Sequence, residues 1–400
     1  MPWRESSPME QRLQLVQEYR SGLWTMTELA EQYGISRKTA YKWVGRYAEA
    51  EEALTALMDQ SRRPHVRPQA TAAAVVAALL ALRKRHPRWG ARKLVALGRV
   101  QHPTLVWPAR STVCDLLTRA GLVKARPRRP AAVGHAPSAL LPMAAANQTW
   151  TTDFKGEFRT GDGRYCYPLT LRDGFSRFVL RCDGLPARTV DATRRRFARA
   201  FAEFGLPDRI RSDNGTPFAA TGLARLSRLA VWWMRLGIVP ERIAPGRPEQ
   251  NGSHEQFHSV LKAETARPPA SSLAAQQRRF DRFCTEYNHV RPHESLEDAP
   301  PAARYTASTR SLPATLPPVE YPGHMEVRRV SGAGHISWRG PVFLTETLAR
   351  EDVGLEEVDD GVWTVYFGTI ALARFNERLR ALQPLAPITT GCAPMESART

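Results

Sequence analysis

The chain has 400 residues, and 57 Lys plus Arg against 39 Asp plus Glu give a formal net charge of +18. That length suggests two to four domains, and an apolar content of 42% argues against global disorder, which needs low hydrophobicity as well as high charge. No apolar run approaches the roughly 18 residues of a membrane-spanning helix, so no such helix is expected. The first residues, Met1 to Glu5, lack the apolar stretch of a signal peptide, so secretion is not expected. Five cysteines, Cys114, Cys166, Cys182, Cys284 and Cys392, lie far apart and form no Cys-x-x-Cys pair. Neither a disulfide framework nor a thiolate zinc site is expected, which fits a reducing cytoplasm.

Where the charge sits matters more than its total. Residues 1–59 carry 7 basic and 9 acidic residues, whereas residues 60–147 carry 16 basic residues and one acid, Asp115. Residues 148–300 hold 24 and 18, and residues 301–400 hold 10 and 11. One segment therefore holds most of the excess, the pattern of a polyanion-binding surface. Double-stranded DNA is the expected partner, and no membrane association is expected.

In chain order, residues 9–21 read as an amphipathic helix, with Leu13, Val16 and Tyr19 near helical spacing. Residues 26–43 then read as a helix-turn-helix. Leu29 and Ala30 pack one helix, Gly34 makes the turn, Ile35 plugs the core and Ser36 caps the next helix. That second helix presents Arg37, Lys38, Thr39 and Lys42 outward, as candidate base or phosphate contacts. Residues 61–70 are a basic, proline-broken linker. A second helical module follows, with an Ala/Val/Leu-rich helix running to His86, another from Trp89 and a third after Pro108 that Gly121 ends. In it, Arg92 and Lys93 are candidate DNA contacts. Residues 126–147 read as a basic Pro/Ala linker.

From residue 148 the pattern becomes mixed. Strands are expected at 150–154, 165–171 and 175–182, the last two joined at Asp173-Gly174. A helix over 190–204, a short strand at 209–213, a helix over 221–236, a strand at 237–239 and helices over 249–265 and 273–289 follow. This is an α/β layered order. Residues 325–375 alternate apolar and polar with Gly turns, the pattern of a small β-rich domain.

Three carboxylates stand out by context. Asp153 lies within an expected strand, where a charge is costly without a function. Asp213 ends another strand, before Asn214-Gly215. Glu255 lies in the first turns of a helix. Strand ends and a helix start can converge at one sheet edge, where three carboxylates would bind two Mg²⁺ ions, with Mn²⁺ as a substitute, for chemistry on phosphorus.

The words around these acids are Thr152-Asp153-Phe154, Arg211 to Phe218 and Arg247 to Lys262, with Tyr287 to Leu296 after them. They resemble the integrase core of bacterial insertion-sequence DDE transposases, insertion sequence family 481 in particular, over roughly residues 10–380. The resemblance implies a multidomain α+β chain. Its parts are a helix-turn-helix domain over 1–60, a second helical DNA-binding module over 61–125 and a ribonuclease H-like α/β integrase core over 148–300. A small β-barrel-like domain over 310–384 and a disordered tail over 385–400 complete it. Asp153, Asp213 and Glu255 are implied as catalytic metal ligands, with Asn214, Arg247, Asn251 and Lys262 as candidate DNA contacts. Terminal inverted repeats and target DNA are the implied substrates, and a homo-oligomer is the implied acting form. Two departures show. The 41 residues between Asp213 and Glu255 exceed the interval of many relatives, and Gln256 stands where relatives often carry Arg.

His254-Glu255-Gln256-Phe257-His258 also fits the H-E-x-x-H zinc protease signature, with Glu286 or His293 as the third ligand. That reading leaves Asp153, Asp213 and the DNA-binding modules unexplained. On the integrase-like reading, His254 and His258 are expected at the surface or facing DNA. A non-catalytic DNA-binding remnant or repressor, and a ribonuclease H-like nuclease that cuts without joining, are the remaining alternatives.

Overall fold

The computed structural model describes residues 7–61, 70–123, 143–220, 222–243 and 252–385. Most of the two linkers and the tail read from the sequence fall outside these ranges. The chain forms two units, Met1–Thr71 and Ala72–Thr400. Among the described residues no helix is long and apolar enough to cross a membrane.

The first unit holds α1 (Pro8–Arg20), α2 (Met26–Gln32) and α3 (Arg37–Glu49). Ser7 with Glu10 and Thr25 with Glu28 form reciprocal capping boxes at the first two helices, so each starts with its free N–H groups satisfied. Gly34 takes the turn at φ +62°, and the Ser36 hydroxyl accepts from the Thr39 N–H to start α3. Leu15, Val16, Leu29, Ala40, Trp43 and Leu57 form the core. Arg12 covers the Trp43 ring at 3.9 Å.

The second unit begins with α4 (Ala73–Arg85), α5 (Ala91–Gln101) and α6 (Arg110–Arg119), packed through Leu79, Leu82, Leu94, Trp107, Val113 and Leu117. Gly98 is required here, because a Cβ would lie 2.3 Å from the Trp107 ring.

A mixed sheet follows. Strands β1 (Thr149–Phe154), β2 (Phe158–Arg159), β3 (Tyr165–Asp173), β4 (Val179–Leu185), β5 (Arg209–Ser212) and β6 (Val239–Arg242) alternate with α7 (Val190–Phe204) and α8 (Arg228–Arg235). Helices α9 (Gly252–Thr265) and α10 (Leu273–His289) close it. The main order is β4-β3-β1-β5-β6, with β2 beside the start of β3. β3 is antiparallel to β1 and β4, while β1, β5 and β6 run parallel. This is the ribonuclease H-like arrangement. Trp150, Leu169, Phe197, Phe201, Ile210 and Trp233 fill the α7–α8 face, and Cys166, Phe257, Leu261, Phe280 and Tyr287 fill the α9–α10 face.

Several bounds differ from the sequence reading: β6 spans Val239–Arg242 rather than 237–239, β2 has no counterpart in it, and two further differences have a local cause. β4 starts at Val179 rather than 175, because the buried Asp173 carboxylate accepts from the N–H and hydroxyl of Ser176 and from the Asn147 N–H, holding a wider turn. The 221–236 helix shrinks to α8, because Ala224 and Arg225 adopt φ of +47° and +54° and Ser227 caps a fresh start.

The C-terminal region contains β7 (Glu326–Arg329), β8 (His335–Ser337), β9 (Pro341–Phe343), β10 (Asp352–Asp359), β11 (Val362–Phe367), β12 (Ile370–Asn376) and β13 (Ala381–Pro384). Five of these form an antiparallel sheet, β13-β12-β11-β10-β7, and β8 pairs with β9. Its core, including Leu355, Val365, Phe367 and Phe375, is continuous with Leu223, Leu226, Ala230 and Val231. Helix α8 thus buries Leu229, Trp232 and Trp233 in the core of the mixed sheet and Ala230 and Val231 under the C-terminal sheet. A helix apolar on both sides is one packed between two layers. The long interval between Asp213 and Glu255 contains this bridging helix.

Candidate active site

Asp153 sits near the end of β1, opposite Thr170 of β3. Asp213 directly follows β5, the parallel neighbour of β1. Glu255 lies exposed in the first turn of α9, which packs against β1. The sheet order therefore brings two strand ends and one helix start to the same edge.

The electrostatics show that Asp153 responds to the other two acids. Burial pushes the Asp153 carboxyl up to about 7, with Asp213 and then Glu255 adding to the rise, while the Phe154 N–H and Lys155 oppose it. Burial also raises Asp213, opposed by a hydrogen bond from the Gly215 N–H and by Arg188. Gly215 is needed for that approach, since a Cβ would lie 2.9 Å from Asp213 Oδ2. Among the described residues no three His, Cys, Asp or Glu side chains are gathered tightly enough to hold one metal ion; like charges with no cation between them repel. Asp213 Oδ1 is buried with no hydrogen-bond partner among the described residues. An orphaned carboxylate oxygen beside a second carboxylate held near neutrality fits a hard, oxygen-preferring dication.

Helix α9 is fixed from below. His254 and His258 are almost fully buried, at 1% and 4% exposure, so neither is a surface or DNA-facing group as the sequence suggested. They share the core face with Phe257 and Leu261, and their Nε2 atoms lie 2.6 and 2.7 Å from Thr170 Oγ1. Arg172, also buried, donates to the Ser253 carbonyl at 3.0 Å and lies over the Phe257 ring. His258 Nδ1 is 3.5 Å from Asp153 Oδ2. Burial, with Lys155 and Arg172, holds His258 down at about 3, so this contact is between a neutral ring and the carboxyl group, not an ion pair at neutral pH.

The zinc protease reading fails on the same geometry. Both Nε2 atoms address one hydroxyl, Glu286 is engaged by His86 at 2.9 Å, and the His293 ring packs against Tyr287.

The other sequence candidates fall into groups. Arg37, Lys38 and Lys42 are exposed on α3, whereas Thr39 is half-buried and its hydroxyl lies 2.9 Å from that of Ser36. Arg92 is paired with Asp298 at 2.8 Å and with Glu294. Lys93 is half-buried among Arg291, Glu264, Asp298 and Glu294, and burial followed by Arg291 lowers it to about 8. Acids of the segment after α10 thus engage Arg92, and these together with Glu264 of α9 lie near Lys93. Asn214 donates to the Ile243 carbonyl at 2.8 Å and ties the ends of β5 and β6. Lys262 is exposed on α9 and shares a small cavity with Lys155, Phe158 and Phe280. Arg247 and Asn251 lie outside the described residues. Sequence reasoning missed Thr170, Arg172, Lys155 and Arg188. The first two depend on cross-sheet register, which no local pattern reveals; the cations were visible only as ordinary basic residues.

Parts of the chain are similar to known proteins. Integrase core domain models match residues 144–248 and 236–301. A helix-turn-helix domain model matches residues 11–65, and a homeodomain-like domain model matches 39–117. An uncharacterized protein of insertion element IS476 from Xanthomonas euvesicatoria is 29% identical over 259 residues, covering 62% of this chain and 68% of its own. Among solved structures, the simian T-cell lymphotropic virus intasome in complex with a PP2A regulatory subunit matches at a TM-score of 0.35 and 17% identity, covering 77% of this chain and 99% of that one. The HTLV-2 integrase catalytic core domain in complex with magnesium matches at 0.31 and 14%, covering 41% and 99%. With helix-turn-helix domains ahead of an integrase core, the chain has the make-up of a bacterial insertion-sequence transposase.

Proposed function

We propose that the chain is a DNA transposase of the insertion sequence 481 kind, which binds the terminal inverted repeats of its element, cuts the element ends and joins the freed 3′ hydroxyl to target DNA. The observation that carries this is the approach of Asp153, Asp213 and Glu255 to one edge of the sheet, where the latter two add to the rise of the Asp153 carboxyl. Two Mg²⁺ ions at these carboxylates, or Mn²⁺ in their place, would activate the attacking oxygen and stabilise the leaving one. Asp213 offers a buried lone pair at Oδ1, while the Gly215 N–H steadies its carboxylate. Asp153 is paired with Thr170 of β3, while the pairing of β1 with β5 stops two residues before it, at Thr151. Lys155 and Arg188 are close enough to lower the two aspartates, and they supply the positive field that a phosphate backbone needs. No Ser, Tyr or Cys nucleophile is required, so water and then a 3′ hydroxyl attack in line without a covalent protein intermediate. Arg37, Lys38 and Lys42 on α3 grip duplex DNA, and joining two ends calls for a homo-oligomer on DNA.

The test uses purified protein, a duplex carrying the terminal repeat from beside the gene, and Mg²⁺. Nicking at the repeat end followed by a joined product supports the proposal. A mobility shift with neither product in Mg²⁺ or Mn²⁺ identifies a non-catalytic binder, and cutting without joining identifies a nuclease.

A further inference from the structure

The His254–His258 pair is a buried polar cluster that the proposed chemistry does not use. We propose that Thr170, His254 and His258 form a positioning clamp that fixes Asp153 and Glu255 relative to each other for divalent-cation binding. This rests on the reading of those acids as metal ligands.

Hydrogen counting defines the clamp. The Thr170 hydroxyl has one hydrogen and donates it to the Asp153 carbonyl at 3.0 Å. Its lone pairs must then accept from both imidazoles, whose Nε2 atoms lie at 2.6 and 2.7 Å. Each ring therefore carries a proton on Nε2. His254 Nδ1 lies 3.0 Å from the Thr151 hydroxyl, and His258 Nδ1 faces Asp153 Oδ2 at 3.5 Å.

One fully used hydroxyl thus joins three elements. Thr151 and Asp153 belong to β1, Thr170 to β3, and His254 and His258 to consecutive turns of α9. Glu255 follows His254 directly, so anchoring that histidine sets the helix rotation that aims Glu255. Arg172, also on β3, secures the same turn through the Ser253 carbonyl. Every atom of the clamp lies in a buried layer where an unmade hydrogen bond is costly. Groups behind the carboxylate ligands of a metal orient those ligands, and their loss weakens metal binding by about 10–100-fold. The histidine spacing that imitates a zinc signature is in this account a device for orienting carboxylates.

The experiment measures Mg²⁺ binding to the full-length chain by calorimetry and by the Mg²⁺-dependent rise in Tm, with no DNA present. Thr170→Val keeps the side-chain shape and removes the hydroxyl; Thr170→Ser restores it. Binding by the wild type, weakened about tenfold or more in Thr170→Val and recovered in Thr170→Ser, is the expected result. His258→Gln keeps a donor for Thr170 but removes the ring nitrogen facing Asp153, and it gives the same reading if Thr170→Val does not fold. Wild-type Mg²⁺ affinity in folded Thr170→Val, or in His258→Gln where Thr170→Val does not fold, overturns the clamp alone. Absence of Mg²⁺ binding in the wild type, unchanged by Asp153→Asn, overturns the metal-site reading and the clamp with it.

Discussion

The docking face of the second helical module and the acidic edge of the catalytic sheet use charge in opposite ways. On the docking face, acids and bases alternate. Arg92 meets Asp298 and Glu294, and Arg291, 8% exposed, meets Glu264 at 2.7 Å. Arg291 also lies over the Trp89 and Tyr287 rings. At the sheet edge, acids face acids, and Asp213 keeps a buried oxygen without a partner. Matched charges hold elements together; unmatched ones mark where something else must bind. Neutralising an acid should therefore have opposite signs in the two regions.

The largest stability effect is expected at Glu264. Glu264→Gln strands the buried Arg291 guanidinium, and chemical denaturation should show a loss of about 3–5 kcal/mol. Asp153→Asn should do the reverse and stabilise the metal-free protein at neutral pH. Folding raises this carboxyl from 3.8 to about 7, so the folded state binds more protons between those values and stability falls as pH rises through that window. The wild type should lose at most about 4 kcal/mol from this group between pH 4 and 7, and Asp153→Asn should lose little. A wild-type profile that rises over that range in the absence of metal, without the variant's differing, would break the comparison.

Lys93 sharpens it on the docking side. Its pKa is lowered to about 8, chiefly by burial, so the surrounding acids do not make up the desolvation cost. Lys93→Met should be neutral or stabilising by about 1 kcal/mol in thermal melts, whereas a large loss would show that the lysine is well paired. The smallest stability change is expected on α3. Lys42→Ala should leave Tm nearly unchanged, yet lower the slope of log affinity for DNA against log salt by about one unit. An unchanged slope would remove Lys42 from the DNA contacts.

Much of the layout was legible in the sequence because its signals are local. Gly34 and Ser36 marked the first helix-turn-helix, and Gly205 marked the end of α7. Asp153, Asp213 and Glu255 were legible because each carries a distinctive neighbourhood of residues. What escaped depends on contacts distant in the chain. Arg92 looked like one more cation of a basic segment, since its partner Asp298 lies 206 positions away. His254 and His258 looked like surface groups because the polar layer that receives them comes from β1 and β3. The break before α8 escaped because residues 221–236 read as one helix and the positive φ angles of Ala224 and Arg225 follow from packing between two layers.

The central claim is that Asp153, Asp213 and Glu255 act together in strand transfer. The most direct measurement is single-turnover joining of a pre-cut terminal-repeat end in Mg²⁺ by the wild type, Asp153→Asn, Asp213→Asn and Glu255→Gln, with DNA affinity measured on the same samples. The account predicts joining in the wild type and a loss of about 10³-fold or more in each variant, with DNA affinity retained. Joining at the wild-type rate by any one of the three variants would contradict it.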